Sequence, residues 1–389
     1  MTAIPLASVR LRRPASSARI TVDPAAIAAN TRVLSRRTDA ELMAVVKADG
    51  FGHGAVIVAD AALAHGATWL GVTGLAEAYG LREAGIEAPV LSWLNPVDTD
   101  WAVARDLSID VAVPSLAHLR ALLAAGTGRV AAPYRVHLQL DTGLARDGCE
   151  PEAWASLCRV ARLAEQCGRI RVVGVMGHLP IAEVPRDPAN ALARNRFAHG
   201  VRCALRVGLR PAYRHLAASA ATLTDRRSHH DLVRVGAGLV GIDPSGTTSL
   251  TGALTVTAPL AEIRRVRAGT GVGYGHDWTA PGSTTLGLLP LGYADGLPRV
   301  ASGRAEVLVR GRRRPLVGRI SMDQAVVDLG DDPVEAGETV TVLGPGRAGE
   351  PTMHDWAAWS RTLPHEIVTG LGSRLDRALL RPGPRVVDR

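Results

Sequence analysis

The sequence predicts an α/β fold in two parts, an N-terminal (β/α)8 TIM-like barrel followed by a C-terminal all-β domain. Two observations carry this. Over roughly the first two-thirds, short β-branched runs alternate with Ala/Leu/Arg-rich stretches of helical period, about eight times in all. Beyond about residue 245 the helical period fades, and short strands separated by Gly and Pro take over. A doubly wound open sheet is the competing architecture, but the first strand leads into no GxGxxG turn. The 389 residues, 47% of them hydrophobic, suffice for two cores. The expected division is a lead-in at 1–17, the barrel at 18–245 and the β domain at 246–389.

The barrel strands are read at Leu42–Val46, Trp69–Val72, Val90–Trp93, Asp110–Val113, Arg135–Leu140, Val172–Met176, Tyr213–Leu216 and Leu232–Val235. Helices between them are clearest at Ala55–His65, Gly74–Ala84 and Glu152–Gln166, where apolar residues recur at helical spacing. Gly66, Gly85 and Gly168 stand where a glycine relieves the left-handed residue that ends a helix. In the second part, strands are expected at Leu254–Val266, Thr284–Pro290, Ala305–Val309, Arg314–Val317, Gln324–Leu329 and Thr339–Leu343. Thr362–Leu380 reads as a late helix or turn and a closing strand.

Several function classes are disfavoured. No apolar run approaches a membrane span, and Arg10, Arg12 and Arg13 are followed by no apolar segment of a signal peptide. The four cysteines (Cys149, Cys158, Cys167, Cys203) form no CxxC pair, so neither a disulfide framework nor a metal site is expected. Reduced thiols and a cytoplasmic location follow as the default. Net charge is +8, but with two Phe and five Tyr there is little material for stacking on bases. An affinity for small anions fits the charge better than nucleic acid does.

Lys47 is the only lysine among 45 basic residues. Arginine serves wherever a fixed charge is needed, whereas lysine can shed its proton and become a nucleophilic amine. A lone lysine is therefore a candidate for a Schiff base with a carbonyl. It ends the first strand, in Ala-Val-Val-Lys47-Ala-Asp-Gly-Phe51-Gly-His-Gly, on the face where barrels place their active sites. Other polar residues end strands in the same way. Arg146 follows the fifth, His178 the sixth, Ser219 the seventh, and Arg234 with Gly236 and Ala237 the eighth. Ser219 and the backbone N–H groups near Gly236 and Ala237 suit a phosphate. In the second part, Tyr274 is flanked by glycines and so projects from a turn.

The ordered motifs AVVKADGFGHG, DTGLAR, VRVGAGLVG, GVGYG, LGYADG and GRISMDQ resemble the alanine racemase family, from about Ala18 to Leu380. That resemblance implies pyridoxal 5′-phosphate (PLP) as cofactor, a head-to-tail homodimer with shared active sites, and interconversion of L- and D-alanine. It implies Lys47 as the Schiff-base residue and one base, and Tyr274 of the other subunit as the opposite base. Arg234 would face the pyridine nitrogen, and Arg146 the phenolic oxygen and the substrate carboxylate. His178 would lie near the ring, linking Arg234 and Tyr274. Ser219, Gly236 and Ala237 would hold the phosphate, with His365 nearby, and the Met322 backbone the substrate carboxylate.

The chain departs from the family pattern at several of these places. Phe51 and His365 stand where the family has tyrosines at the phosphate. Ala218 replaces an asparagine and Ser321 a cysteine. Gln139 replaces a lysine that is often carbamylated, and Leu179-Pro180 replaces Phe-Ala. A bond to a charged phosphate is worth about 1.5–3 kcal/mol, so the cofactor clamp is expected to differ. A racemase acting on another amino acid in specialised metabolism is the alternative. A PLP decarboxylase of the same fold would carry a C-terminal cysteine, and none follows Cys203. A non-catalytic PLP carrier would lack the β domain.

Overall fold

The computed structural model describes residues 18–125 and 132–380, so the lead-in at 1–17 lies outside the described residues. The described residues divide into two compact units, one within Asp23–Leu254 together with Pro364–Thr369, the other of residues 18–22, Thr255–Leu363 and 370–380.

The first strand, β1 (Arg19–Val22), belongs to the second unit. Among the described residues, the first unit contains eight further strands: β2 (Glu41–Val45), β3 (Trp69–Val72), β4 (Val90–Ser92), β5 (Ile109–Val113), β6 (Tyr134–Gln139), β7 (Ile170–Met176), β8 (Tyr213–His215) and β9 (Leu232–Val235). All pair in parallel in the order β8-β7-β6-β5-β4-β3-β2-β9, so the first of them also meets the last. Backbone bonds from Asp231 N–H to Arg214 O (3.1 Å) and from Arg234 N–H to Ala217 O (3.0 Å) bridge the remaining gap. The ring is an α/β barrel, as the alternation of runs and helices predicts.

The physical reasons are local. β3, β4, β5 and β9 are buried at every position, as parallel strands covered on both faces must be. Helix Pro24–Ser35 begins where the Asp23 carboxylate accepts from the Ala25 and Ala26 N–H groups. Helix Pro151–Gln166 buries Trp154, Leu157, Cys158, Ala161 and Ala164, one stripe at helical spacing.

The second unit has a nine-stranded sheet, among the described residues, in which β1 lies between Leu254–Pro259 and Asp376–Leu379. The single run expected over Leu254–Val266 is two strands, Leu254–Pro259 and Glu262–Val266. They pair antiparallel with Thr339–Leu343 and Thr284–Leu289 respectively. Buried and half-buried residues alternate along Leu254–Pro259 and Ala325–Gly330, as in a sheet with one covered face. Helix Pro364–Thr369 returns to the barrel unit.

Candidate active site

Lys47 follows β2 directly and is half-buried. Burial lowers its pKa, the Arg146 charge lowers it further, and the Glu77 carboxylate opposes them. The backbone after Lys47 turns the wrong way for L-residues. Ala48, Asp49, Gly50, Phe51 and Gly52 all have φ between 52° and 77°. A left-handed residue that is neither glycine nor Asn/Asp costs about 1–2 kcal/mol, and Ala48 and Phe51 are two such residues. Two carboxylates hold this turn. Glu77 Oε1 accepts from Ala48 N–H (2.7 Å) while its Oε2 accepts from Thr73 N–H (2.8 Å) and Thr73 Oγ1–H (2.6 Å). Asp49 Oδ1 accepts from Ala55 N–H (2.9 Å) at the start of helix Ala55–Leu63. Helix Pro364–Thr369 closes against the turn, where a Cβ on Gly52 would run into the Val368 carbonyl.

Arg234 lies at the end of β9, buried to 5% exposure. Its guanidinium donates to His215 O (2.9 Å), His215 Nδ1 (3.2 Å), Gly177 O (2.7 Å), Leu216 O (3.3 Å) and His178 Nδ1 (3.2 Å). Every one of these acceptors is neutral, so the cation is held without a carboxylate in contact. Burial and the Arg146 charge pull its pKa down to about 10, which leaves it charged at neutral pH. Burial, then Arg234, Arg146 and Lys47, push His178 down to about 3. His178 is thus a neutral imidazole whose Nδ1 faces Arg234, and its proton sits on Nε2.

Arg146 stands exposed on the loop after β6. Asp141 Oδ1 accepts from the Gly143, Leu144 and Ala145 N–H groups and shapes that loop. Gln139, at the end of β6, donates from Nε2 to Asp147 Oδ2 (3.1 Å). Ser219 opens the turn after β8, and its Oγ accepts from Gly236 N–H (3.1 Å) and Gly238 N–H (3.3 Å). The Phe51 ring packs where a Gly236 Cβ would stand, and the His365 ring is 6.2 Å from it at 53°. Ala218 contributes its carbonyl, which accepts from Thr222 N–H (2.8 Å).

The barrel rim thus brings together Lys47, Arg146, His178, Ser219, Arg234, Gly236 and His365, with Ala237 next in the chain. Tyr274 and Met322 lie in the other unit. Tyr274 projects from a turn between Gly273 and Gly275, both at positive φ, and is 71% exposed. The Arg319–Asp277 ion pair clasps that turn, and a Cβ on Gly275 would meet the Arg319 guanidinium. In the same unit Met322 is exposed, and its carbonyl accepts from Ala294 N–H (2.9 Å). Ser321 O accepts from Tyr293 N–H (3.0 Å), which ties the two loops together. Sequence reading missed Glu77, Asp277 and Arg319. Their role is to hold a loop in place from another element, and no local motif announces it.

The arrangement offers a partly desolvated amine, a buried cation, a neutral imidazole and a serine hydroxyl oriented by two backbone N–H groups, all on one rim. Comparisons with known proteins agree on what it belongs to. Residues 22–244 match the family description "Alanine racemase, N-terminal domain" and 253–379 match "Alanine racemase, C-terminal domain". An alanine racemase of Streptomyces coelicolor is 46% identical over 373 residues, covering 92% of this chain and 95% of that one. The crystal structure of alanine racemase from D-cycloserine-producing Streptomyces lavendulae superposes with a TM-score of 0.91 at 41% identity, over 95% of this chain and 98% of that one. The alanine racemase of Bartonella henselae with covalently bound pyridoxal phosphate superposes at 0.83 with 27% identity, over 94% of this chain and all of that one. The chain belongs to the alanine racemase family.

Proposed function

We propose that this member of the alanine racemase family is a PLP-dependent enzyme that interconverts L- and D-alanine, working as a cytoplasmic homodimer. The single observation that carries the reading is Lys47. It is the sole lysine, its amine is biased toward the neutral form, and it shares a rim with the buried cation Arg234.

The residues present suit the cofactor. The Gly236 and Gly238 N–H groups donate to Ser219 Oγ, which leaves the Ser219 hydroxyl proton to donate to a phosphate. Arg234 is fixed by five hydrogen bonds and offers only donors, so a pyridine nitrogen beside it stays unprotonated. Lys47 would hold the aldehyde carbon. Ser219, Gly236 and Ala237 would hold the phosphate, with His365 and Phe51 closing that side. PLP supplies an electron sink that acidifies the substrate α-C–H.

The rest is the work of this chain. Lys47 Nζ would stand on one face of the substrate α-carbon, where it could take or return the α-proton. Inversion needs a proton donor and acceptor on each face. Tyr274 of the partner subunit would serve the opposite face through its phenolic oxygen. The high exposure of Tyr274, Tyr293 and Met322 in a single chain supports a surface built to be covered by a second copy. His178, neutral and with its proton on Nε2, would pass a hydrogen bond between Arg234 and that tyrosine. Arg146 and the Met322 backbone would grip the substrate carboxylate, which orients the α-C–H between the two bases.

The test is solvent deuterium exchange at Cα over a panel of L- and D-amino acids. Alanine should exchange fastest, with inversion from either enantiomer. Exchange without inversion, or none with any amino acid, would overturn the racemase reading. Faster exchange with another amino acid would move the substrate while keeping the chemistry.

A further inference from the structure

Beneath Arg234 runs a chain of buried polar groups that the racemase reading does not use. Arg234 Nη1 contacts His215 Nδ1 at 3.2 Å. His215 Nε2 contacts His137 Nδ1 at 2.8 Å, and His137 Nε2 contacts Asp110 Oδ2 at 3.1 Å. Asp110 is gripped in turn by Arg135, with Nε to Oδ1 at 2.6 Å and Nη2 to Oδ2 at 3.2 Å. The four links join β9, β8, β6 and β5 across the barrel interior. Both imidazoles are fully buried and Asp110 is 1% exposed.

The barrel is shaped around this chain. The β6–β7 register slips between Val136 and His137, which sets His137 beside Gly174. A Cβ on Gly174 would run into His137 Nδ1. Trp69 walls the same ring edge-on, 5.7 Å between centroids.

We propose that Asp110 is a remote positioning residue, which fixes the tautomers of His137 and His215 so that His215 presents a lone pair to Arg234. The polarity follows from the two ends. A guanidinium only donates, and a carboxylate only accepts. Asp110 therefore takes the Nε2 proton bond of His137, which leaves His137 Nδ1 as an acceptor. His215 donates to it from Nε2, so His215 Nδ1 is left to accept from Arg234. Any other placement of the two ring protons sets donor against donor somewhere along the line. Burial alone would raise the Asp110 carboxyl, but its bonds to His137 and Arg135 outweigh this and hold it below the usual range. Burial, with His137 and Arg234 adding to it, keeps His215 neutral. The consequence for catalysis rests on Arg234 facing the cofactor ring, as read above.

The test is Asp110→Asn, read by 15N NMR of labelled histidines in the cofactor-free and PLP-loaded protein. In the wild type, His215 should be protonated on Nε2 and bare on Nδ1 in both forms. In Asp110→Asn only one of the two acceptor positions keeps an oxygen, Oδ2 serving both His137 and Arg135 Nη2 and Oδ1 serving Arg135 Nε; where the NH2 faces His137, both tautomers reverse and Arg234 loses one acceptor. With the tautomers reversed the PLP absorption maximum should shift and kcat should fall about tenfold, the low end of what losing its outer partner costs a metal-binding imidazole. Arg135→Gln, which removes a partner of Asp110 without touching the relay, should leave the tautomers as they are. A wild-type His215 protonated on Nδ1 overturns the proposal, whether or not any variant folds. So do a cofactor absorbance or kcat that shifts in Asp110→Asn while the tautomers stay as they are, or reversed tautomers with cofactor absorbance and kcat both unmoved. Because the tautomers are read without cofactor, a failed PLP reading would leave this result standing by itself.

Discussion

Replacing Glu77 by glutamine should loosen the backbone that carries Lys47 and lower the Lys47 pKa further. The carboxylate accepts three bonds, from Ala48 N–H at one oxygen and from Thr73 N–H and Oγ1–H at the other. An amide has one oxygen, so its NH2 must face one of two backbone N–H donors. A bond to a charged acceptor is worth about 1.5–3 kcal/mol, and the solvent-exposed position of Ala48 points to the low end, about 1.5 kcal/mol. The left-handed strain of Ala48 and Phe51 sums to about 2–4 kcal/mol, so a weakened anchor lets the turn relax first. The electrostatic sign is independent. Glu77 is the charge that raises Lys47 against burial and Arg146, so its loss moves the amine further below its ordinary value. Urea unfolding gives the stability loss. The pH profile of amine labelling, mapped to the Lys47 peptide, gives the titration without interference from any other lysine. A stability change below about 0.5 kcal/mol, the scale of an ordinary surface substitution, would refute the anchoring role. A labelling profile shifted to higher pH would refute the electrostatic one.

Tyr274→Phe removes the phenolic oxygen and should slow α-proton removal from one enantiomer of alanine by about 100-fold or more, the scale of a lost general base. Isotope exchange from L- and D-alanine measured separately checks this; equal slowing of both would count against two bases on opposite faces. Phe51→Tyr should tighten PLP binding by roughly tenfold or more, from one added bond of about 1.5–3 kcal/mol to phosphate. Fluorescence titration of the cofactor-free protein decides it, and unchanged affinity would mean the phosphate is held elsewhere. His178 is neutral when folded down to about pH 3 but takes a proton near 6.5 when unfolded. The unfolded state therefore binds more protons across that window, and acidification destabilises the fold there. His178→Gln should flatten the loss of stability between pH 6.5 and 3; an equally steep loss would place the acid sensitivity in other groups.

The barrel was legible because parallel strands buried on both faces must be continuous apolar runs, as at Trp69–Val72 and Val172–Met176. That Lys47, Arg146, His178 and Arg234 meet on one rim was legible because barrels gather strand ends on one face. Other features left weaker marks. β1 follows an arginine-rich lead-in and is ordered by pairing with Asp376–Leu379, far away in sequence. Helix Met353–Ser360 did carry a signal, since Thr352 and Asp355 form a capping box. The left-handed turn after Lys47 has no such mark at Ala48 and Phe51, residue types that do not favour it. It exists only where Glu77, from another strand–helix unit, reaches it. The relay from Arg234 to Asp110 is equally invisible: His137 and His215 sit in strands 78 residues apart and meet only when the barrel closes.

The central claim is that Lys47 binds the cofactor covalently. Borohydride reduction of the PLP-loaded protein, followed by peptide mapping, tests it most directly. The account predicts one pyridoxyl-labelled peptide, carrying the label on Lys47 Nζ. Label on any other residue, or none with PLP bound, would contradict it.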